Sequence, residues 1–277
     1  MDENLKDKCS QLEKRLLEIG KDGLCIAFSG GVDSTLLLDT AASLPINVTA
    51  VTFSSRLSPK TELVEAAALA SSMGVQHYFL TFDELTNESI LANPPDRCYH
   101  CKKFIFSSLK DFCKQNSLGA VADGTNADDL KQYRPGLRAL RELEIYSPLA
   151  EYGFTKAEVR AAASSAGLEV HSKPSAPCLA TRVPYGTRLT DELLCKIETG
   201  EEALKSLGFL GCRLRAHGNI ARVEVPISEF EKLINMREKI IPLLKKVGFV
   251  YITLDLEGFR SGSMDIVLED FGGKSGR

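Results

Sequence analysis

A short apolar run, Leu24-Cys25-Ile26-Ala27-Phe28, is cut off by Ser29-Gly30-Gly31-Val32-Asp33-Ser34 and followed at once by Thr35-Leu36-Leu37-Leu38. No other stretch limits the possible fold as strongly. The first run has the length of a buried strand, the last continues as a helix, and the two glycines permit the sharp turn between them. A strand that turns directly into a helix aims backbone N–H groups and the positive end of the helix dipole at the turn, which suits an anion. Ser29 and Ser34 add hydroxyls to that place. The same residues also read as ordinary capping, with Ser29 and Asp33 serving the helix start and Gly30 and Gly31 only making the turn.

Strand and helix signals alternate beyond this point. Residues 46 to 53 and 75 to 82 are rich in strand formers, residues 60 to 73 are Ala-rich and helical, a helix begins near Cys101, and residues 119 to 123 read as a buried strand. Leu5, Leu12, Leu16 and Ile19 mark an amphipathic helix before them. The alternation predicts an α/β domain with a parallel sheet flanked by helices. Ligand groups then gather beyond the carboxyl ends of the strands, where residues 29 to 34 and 123 to 129 fall. Thr155 and Glu158 have capping-box spacing for a helix over 155 to 166. Pro174, Pro177, Pro184 and Gly186 make residues 171 to 188 a loop. After it come a helix over 191 to 207, strands over 211 to 217 and 220 to 227, a helix over 229 to 246 and a strand over 248 to 254, the order of a small α+β domain. The expected division is therefore 1–170, a loop and linker over 171–190, and 191–277. Arg134 and Arg138 read either as groups that approach phosphate or a neighbouring subunit or, with Tyr133 to Gly136, as part of a packed turn, and Asp270 to Arg277 reads as a frayed tail.

The 34 basic and 37 acidic residues leave a net charge of -3, which removes the bulk attraction of a general polyanion binder. No apolar run is long enough to span a bilayer and the polar start lacks a signal-peptide core, so a cytoplasmic protein is expected. Eight cysteines in 277 residues are too sparse for a secreted disulfide scaffold. Clustered ones then read as metal or redox groups. Cys98-Tyr99-His100-Cys101 has metal-ligand spacing and is open to a redox pair, half of a zinc site or no role. With Cys178 it offers three thiolates from two loops, enough for three corners of a cubane iron-sulfur cluster with one iron left open. Cys178 stands between Pro177 and Arg182, with Arg188 beyond; the arginines favour a thiolate and an anionic substrate, while a buried apolar role is the alternative. Cys9, Cys25, Cys113, Cys195 and Cys212 read as packing residues. In Asp123-Gly124-Thr125-Asn126-Ala127-Asp128-Asp129, Thr125 and Asn126 offer neutral hydrogen bonds, and Asp128 and Asp129 offer carboxylates to Mg²⁺ or to basic residues; an Asx-turn explains the segment as well.

The glycine loop lacks the Gly-Lys-Ser/Thr ending of a P-loop and the chain has no GxGxxG pattern. SGGVDS instead resembles the PP-loop ATP pyrophosphatases, which activate a carbonyl or carboxylate as an adenylate. The succession SGGVDS, NPPDRCYHCK, DGTNADD, QYRPGLRAL, PSAPCLATRVPYG, RAHGNIARVEV and GFRSGSMD resembles the LarE sulfur transferases, in their three-cysteine form, along nearly the whole chain. That resemblance implies ATP-dependent adenylation of a carboxylate of pyridinium-3,5-biscarboxylic acid mononucleotide and its conversion to a thiocarboxylate, a step in making the nickel-pincer nucleotide cofactor of lactate racemase. It implies ATP and Mg²⁺ at Ser29, Gly30, Gly31, Asp33, Ser34, Thr125, Asn126 and Asp129, with substrate anions met by Arg182, Arg188 and Arg222. Cys178, Arg213, Arg215 and Glu202, or its neighbour Glu201, are implied at the reactive sulfur. Two sulfur sources stay open: a [4Fe-4S] cluster on Cys98, Cys101 and Cys178 carrying an added sulfide, the favoured one, or Cys178 itself, left as dehydroalanine. The resemblance also implies a homo-oligomer, and no membrane or nucleic acid partner. Competing readings are a PP-loop amidase or ligase, which leaves the cysteine segments without a task, a tRNA-thiolating enzyme, and a nucleotide- or metal-binding regulator.

Overall fold

The computed structural model describes residues 2 to 132, 134 to 173, 177 to 260 and 262 to 266. Tyr133, Pro174, Ser261 and the tail from Asp270, to which the sequence assigned a turn, a loop, a motif and fraying, lie outside them. The chain divides into two units, Met1–Asp83 with Asp96–Ala176, and Glu84–Pro95 with Pro177–Arg277. The first unit therefore differs from the continuous stretch expected over 1 to 170. Residues 84 to 95 go with the second because Asn93 donates from Nδ2 to the Pro184 carbonyl at 2.9 Å, its own carbonyl accepts from Gly186 N at 2.9 Å, and the Leu91 carbonyl accepts from Leu189 N at 2.8 Å.

In the first unit α1 (Glu3–Ile19), β1 (Leu24–Ala27), α2 (Val32–Ala42), β2 (Val48–Ser55), α3 (Lys60–Ser72) and β3 (Gln76–Phe82) run in order; α4 (Glu88–Leu91) belongs to the second unit, and α5 (Arg97–Gln115), β4 (Ala120–Ala122), α6 (Gly136–Glu142), α7 (Pro148–Glu151) and α8 (Lys156–Ser165) complete the first. The four strands pair in parallel in the order β3-β2-β1-β4. Parallel neighbours need crossovers, and α2, α3 and α5 supply them. Side chains of β1 alternate between the two faces. Leu24, Ile26 and then Phe28 enter a core with Leu12 and Leu16 of α1, Leu37 of α2 and Val159 of α8. Cys25 faces the other way, toward Phe106, Leu109 and Cys113 of α5 and Leu137 and Leu140 of α6. Contact with Cys113 and burial push the Cys25 thiol far up, so it packs as a small apolar group.

The observed elements depart from the sequence reading at two places that bear on function. The helix expected from Cys101 begins at Arg97, so Cys98 and Cys101 are the second and fifth residues of α5 and do not lie in a loop. The expected turn ending at Gly136 leads straight into α6, whose Leu137 and Leu140, three residues apart, fill the α5 side of the core.

The second unit contains α9 (Asp191–Ser206), an antiparallel hairpin of β5 (Arg213–His217) and β6 (Ile220–Glu224), α10 (Phe230–Asn235), α11 (Arg237–Lys246) and β7 (Tyr251–Leu254), which pairs in parallel with β6. The single helix expected over 229 to 246 is broken at Met236, which ends α10 and starts α11. No helix among the described residues is long and apolar enough to cross a membrane.

Candidate active site

β1 delivers the chain into the glycine loop and α2 leaves it at Val32. Gly30 has φ +67°, and a Cβ there would sit 3.2 Å from the Ala66 Cα and 3.3 Å from its Cβ on α3. Both the left-handed backbone and the close helix exclude a side chain. Ser29 N donates to Ser34 Oγ at 3.2 Å, the two hydroxyls lie 3.1 Å apart, and Ser34 Oγ donates to the Gly31 carbonyl at 3.1 Å. The loop is thus closed by its own serines. Gly31 is the N-cap residue and has no side-chain cap bond, so capping does not occupy Asp33.

Asp33 reaches across to the loop after β4. Its Oδ1 accepts from Asn126 Nδ2 at 2.9 Å, and its Oδ2 accepts from Lys156 Nζ at 2.5 Å. Asn126 is held in turn: its Oδ1 accepts from Asp128 N at 2.9 Å and Asp129 N at 3.2 Å, and its own N donates to Asp129 Oδ2 at 3.1 Å. Thr125 is oriented by Asp123, which accepts from the Thr125 hydroxyl at 2.6 Å and from Ser147 Oγ at 2.7 Å. The loops around Asp33 and Asn126 therefore form one hydrogen-bonded site within the first unit. A cation already stands against Asp33, and a carboxylate so placed beside an anion-binding turn fits a divalent ion shared with phosphate oxygens.

Close approach of the two loops depends on Gly124, whose hypothetical Cβ would lie 2.8 Å from Ser34 N and 3.1 Å from the Asp33 carbonyl carbon. Those are backbone atoms and cannot turn aside. Gly124→Ala is expected to lower stability by about 1–3 kcal/mol, read by denaturant unfolding; an unchanged midpoint would show that the loops separate without cost.

Lys156 was missed by sequence reasoning because it follows the cap residue Thr155 and reads as one more exposed helical lysine. Its partner is 123 positions away, and only the tertiary fold joins them. The expected capping box is present, with Thr155 N donating to Glu158 Oε2 at 2.8 Å, and Glu158 also accepts from Lys8 at 2.8 Å.

Cys98 is exposed and Cys101 half-buried, three residues apart on one face of α5. Arg97, itself buried, donates from Nη2 to Cys98 Sγ at 3.4 Å. His100 lies 3.3 Å from the Asp96 carboxylate. Among the described residues no group of three or more His, Cys, Asp or Glu side chains is arranged to hold a metal ion.

In the second unit, half-buried Cys178 precedes a 3₁₀ turn over Leu179–Arg182. Arg182 is 2% exposed and acts as the peg of this turn. Its Nη1 donates to the carbonyls of Pro177 at 2.7 Å and Cys178 at 3.2 Å, while Nε and Nη2 form a bidentate pair with Glu201 at 2.9 and 3.1 Å. Expected to meet an anionic ligand, Arg182 instead spends these donors on the protein. Arg188 is exposed and pairs with Glu88. Glu201 also accepts from Leu214 N at 3.0 Å on β5, whereas Glu202 is exposed. Burial pushes the Glu201 carboxyl up, but Arg182, Leu214 N and Arg213 together hold it below its ordinary value.

The β5–β6 register places Arg213 opposite Glu224 and Arg215 opposite Arg222. Glu224 is fully buried; its Oε2 accepts from Arg215 at 2.8 Å and its Oε1 from Arg222 at 3.0 Å and Ser263 Oγ at 2.8 Å. Arg215 also donates to the Thr181 carbonyl at 2.9 Å, which ties the hairpin to the cysteine turn. Arg213 donates to the Cys212 carbonyl at 2.8 Å and lies over the Phe259 ring. Around the hairpin three buried guanidiniums, of Arg182, Arg213 and Arg215, share two buried carboxylates, of Glu201 and Glu224. Burial, and next the charge of Arg182, push the Arg213 guanidinium below its ordinary value. Such a surplus of positive charge attracts an anion.

A family model described as asparagine synthase matches residues 15–112. An uncharacterised protein of Synechocystis sp. is 38% identical over 270 residues, covering 96% of this chain and 97% of that one. Pyridinium-3,5-bisthiocarboxylic acid mononucleotide synthase of Lactiplantibacillus plantarum is 40% identical over 245 residues, covering 88% of this chain and 89% of the relative. The solved structure of NMN synthetase from Francisella tularensis superposes with a TM-score of 0.51 at 16% identity, over 63% of this chain and 76% of its own. That likeness shows the fold.

Proposed function

The chain belongs to the LarE-like family of PP-loop ATP pyrophosphatases, and from that premise we propose that it adenylates a carboxylate of pyridinium-3,5-biscarboxylic acid mononucleotide and replaces the adenylate with sulfur. The observation that carries this reading is the 40% identity, over 88% of the chain, to a synthase of the bisthiocarboxylated nucleotide. The first unit has the groups for activation. N–H groups of the glycine loop and the start of α2, with the Ser29 and Ser34 hydroxyls, hold the β- and γ-phosphates of ATP, while Thr125 and Asn126 complete the nucleotide site. Asp33, with Asp129 nearby, would hold Mg²⁺, which when bound spreads the charge of the phosphates. A substrate carboxylate oxygen then attacks the α-phosphorus, and the bond to the β-phosphate breaks with its electron pair leaving on pyrophosphate.

The second unit has the groups for substrate anchoring and carries Cys178, whereas Cys98 and Cys101 belong to the first. Arg213, Arg215 and Arg222 meet the substrate's anionic groups, and Arg182 with Glu201 positions the Cys178 turn. The soft donor set of Cys98, Cys101 and Cys178 suits a [4Fe-4S] cluster, which when bound would supply an added sulfide to the activated carbonyl. We place this route first because a chain with three such thiols has more than a single sacrificial sulfur requires. In the second route Cys178 Sγ attacks the acyl carbon, AMP leaves, and loss of the Cys178 α-proton with cleavage of its Cβ–Sγ bond leaves dehydroalanine and the thiocarboxylate.

Anaerobic incubation of the protein with ATP, Mg²⁺ and the biscarboxylated nucleotide tests the proposal. Pyrophosphate together with a thiocarboxylated nucleotide is expected. Pyrophosphate accompanied by ammonia consumption, or binding without either product, would sink it. Asp33→Ala is expected to slow pyrophosphate release about 100-fold, in line with loss of one charge-organising group.

A further inference from the structure

We infer that Cys113 of α5 and Cys25 of β1 form an oxidisable dithiol: Cys113 meets a peroxide through a surface cavity, and Cys25 behind it closes the product into a reversible disulfide. The inference concerns the first unit alone and does not rest on the adenylation reading.

Three observations lead here. Cys25 points to the α5 side of the sheet, and Phe106, Leu109 and Cys113, spaced three and four residues apart, form the helix face that covers it. Both cysteines are free thiols and their side chains interact directly. Second, one of the pair can be reached from outside. The sheet order makes β4 an edge strand, and the parallel register sets Cys25 beside Val121 of that strand. Along this edge lies a cavity of about 890 Å³ whose lining includes Val121 and Cys113. Cys25 is 0% exposed and sits behind them, whereas Cys113 is 3% exposed. A small oxidant therefore meets the Cys113 sulfur first. Third, basic groups surround the opening. Lys110 and Lys114 flank Cys113 on α5, and Arg15 and Arg141 line the same cavity, four cations against three carboxylates. Lys110 is fixed there by donating to the Leu143 carbonyl at 2.8 Å. Such surroundings favour a thiolate.

The two sulfurs differ, and the difference sets the order of reaction. Contact with Cys25 holds the Cys113 thiol below its ordinary value against the opposing effect of burial, while the same contact and burial push the Cys25 thiol up. One proton shared by the pair thus rests on Cys25, and Cys113 is the nucleophile. Its thiolate attacks one oxygen of hydrogen peroxide, the O–O bond breaks, and the departing hydroxide takes a proton and becomes water; Cys113 is left as a sulfenic acid. The negative charge that kept the proton on Cys25 is then gone. The Cys25 sulfur attacks the sulfenic sulfur, the S–O bond breaks, and hydroxide leaves with the Cys25 proton as a second water. Together the thiols give up two electrons and two protons, and the peroxide is reduced to two waters. A dithiol reductant reverses the bond by exchange. The disulfide would join β1, which leads into the glycine loop, to α5, which begins at Cys98 and Cys101.

Peptide mapping of the full-length protein tests this. Trypsin places Cys25 on residues 22–56, Cys113 on 111–114 and the Cys98–Cys101 pair on 98–102, so each partner is read separately. Reduced native protein is treated with hydrogen peroxide, quenched with catalase, unfolded in N-ethylmaleimide, digested without reductant and analysed by mass spectrometry. The expected product is peptide 22–56 joined to 111–114 with loss of two hydrogens, with loss of most of the alkylated form of each and its return after dithiothreitol. In Cys25→Ser the reaction is expected to stop at the Cys113 sulfenic acid, which dimedone traps, whereas in Cys113→Ser Cys25 is alkylated as fully as in untreated protein. Alkylated and unlinked Cys25 and Cys113 after a treatment that oxidises the exposed Cys98 overturn the inference. Cys113 joined to a different cysteine, or Cys25 oxidised as readily without Cys113, does the same. The wild-type map needs no substitution, so poor folding of either serine variant leaves the test intact.

Discussion

Cys178→Ala is expected to lower thiocarboxylate formation by at least about 1,000-fold, the size of effect that follows removal of a reacting group, while ATP-dependent pyrophosphate release continues at close to the wild-type rate for a single turnover. The split follows from the division of the chain. The residues proposed for activation, from Ser29 to Asp129, belong to the unit built on the parallel sheet, and Cys178 belongs to the other. Its turn is held by bonds to the Cys178 carbonyl, from Arg182 Nη1 and from Thr181 N and Oγ1. Alanine keeps that carbonyl while removing the sulfur. Rapid-quench measurement of pyrophosphate and mass spectrometry of the nucleotide check both halves. Retained thiocarboxylate formation would contradict the assignment outright. Mass spectrometry of the wild-type polypeptide decides between the two sulfur sources: loss of one H₂S after one turnover supports the sacrificial route, whereas an intact chain with sulfide-dependent repeated turnover supports the cluster. In the cluster case Cys98→Ala is as costly as Cys178→Ala.

Arg182→Met is expected to cost about 3–5 kcal/mol of stability, the penalty for leaving one half of a buried ion pair without its partner. Glu201, whose side chain is 5% exposed, would keep only the Leu214 N–H and the more distant charge of Arg213. Equilibrium unfolding in urea reads the loss directly. Adding Glu201→Leu should restore much of it, because the desolvated carboxylate disappears along with its missing partner. A double variant no more stable than Arg182→Met would mean that the bonds from Arg182 to the Pro177 and Cys178 carbonyls dominate.

The same pair makes a pH prediction. In the wild type Glu201 is held below its ordinary pKa, so its contribution is fully present above the unfolded carboxylate range and is lost as pH falls through the folded value. Without Arg182 burial is opposed only by the Leu214 N–H and the charge of Arg213, and that pKa rises. The stability gap between wild type and Arg182→Met should therefore be widest near neutral pH and narrow as the solution becomes acidic. A gap independent of pH would remove electrostatics as its cause.

Much of the fold could be read along the chain because it rests on local periodicity. The short apolar run of β1, helical spacing in α1 and the Thr155 capping box each involve residues a few positions apart, and each matches its element closely. Errors arose where local chemistry was ambiguous. Gly136 follows a proline and signals a turn, yet it begins α6 because Leu137 and Leu140 have a core to enter. The start of α5 was placed too late because Asp96 and Arg97 are polar, although Arg97 is buried.

What the sequence alone determined was the strand–glycine loop–helix unit, the parallel α/β class and the residue types brought to the two chemical regions, all products of steric turn requirements and of hydrophobic spacing over a few residues. Which charge meets which was decided only by the tertiary structure. Asp33 could have capped its helix, and instead meets Asn126 and Lys156; Glu201 and Glu202 are indistinguishable as letters, and only one faces Arg182. Pairings between groups far apart in the chain depend on the register of strands and the rotation of helices, and ion pairs of this kind have no local signature because their energy arises from burial that the packed fold alone creates.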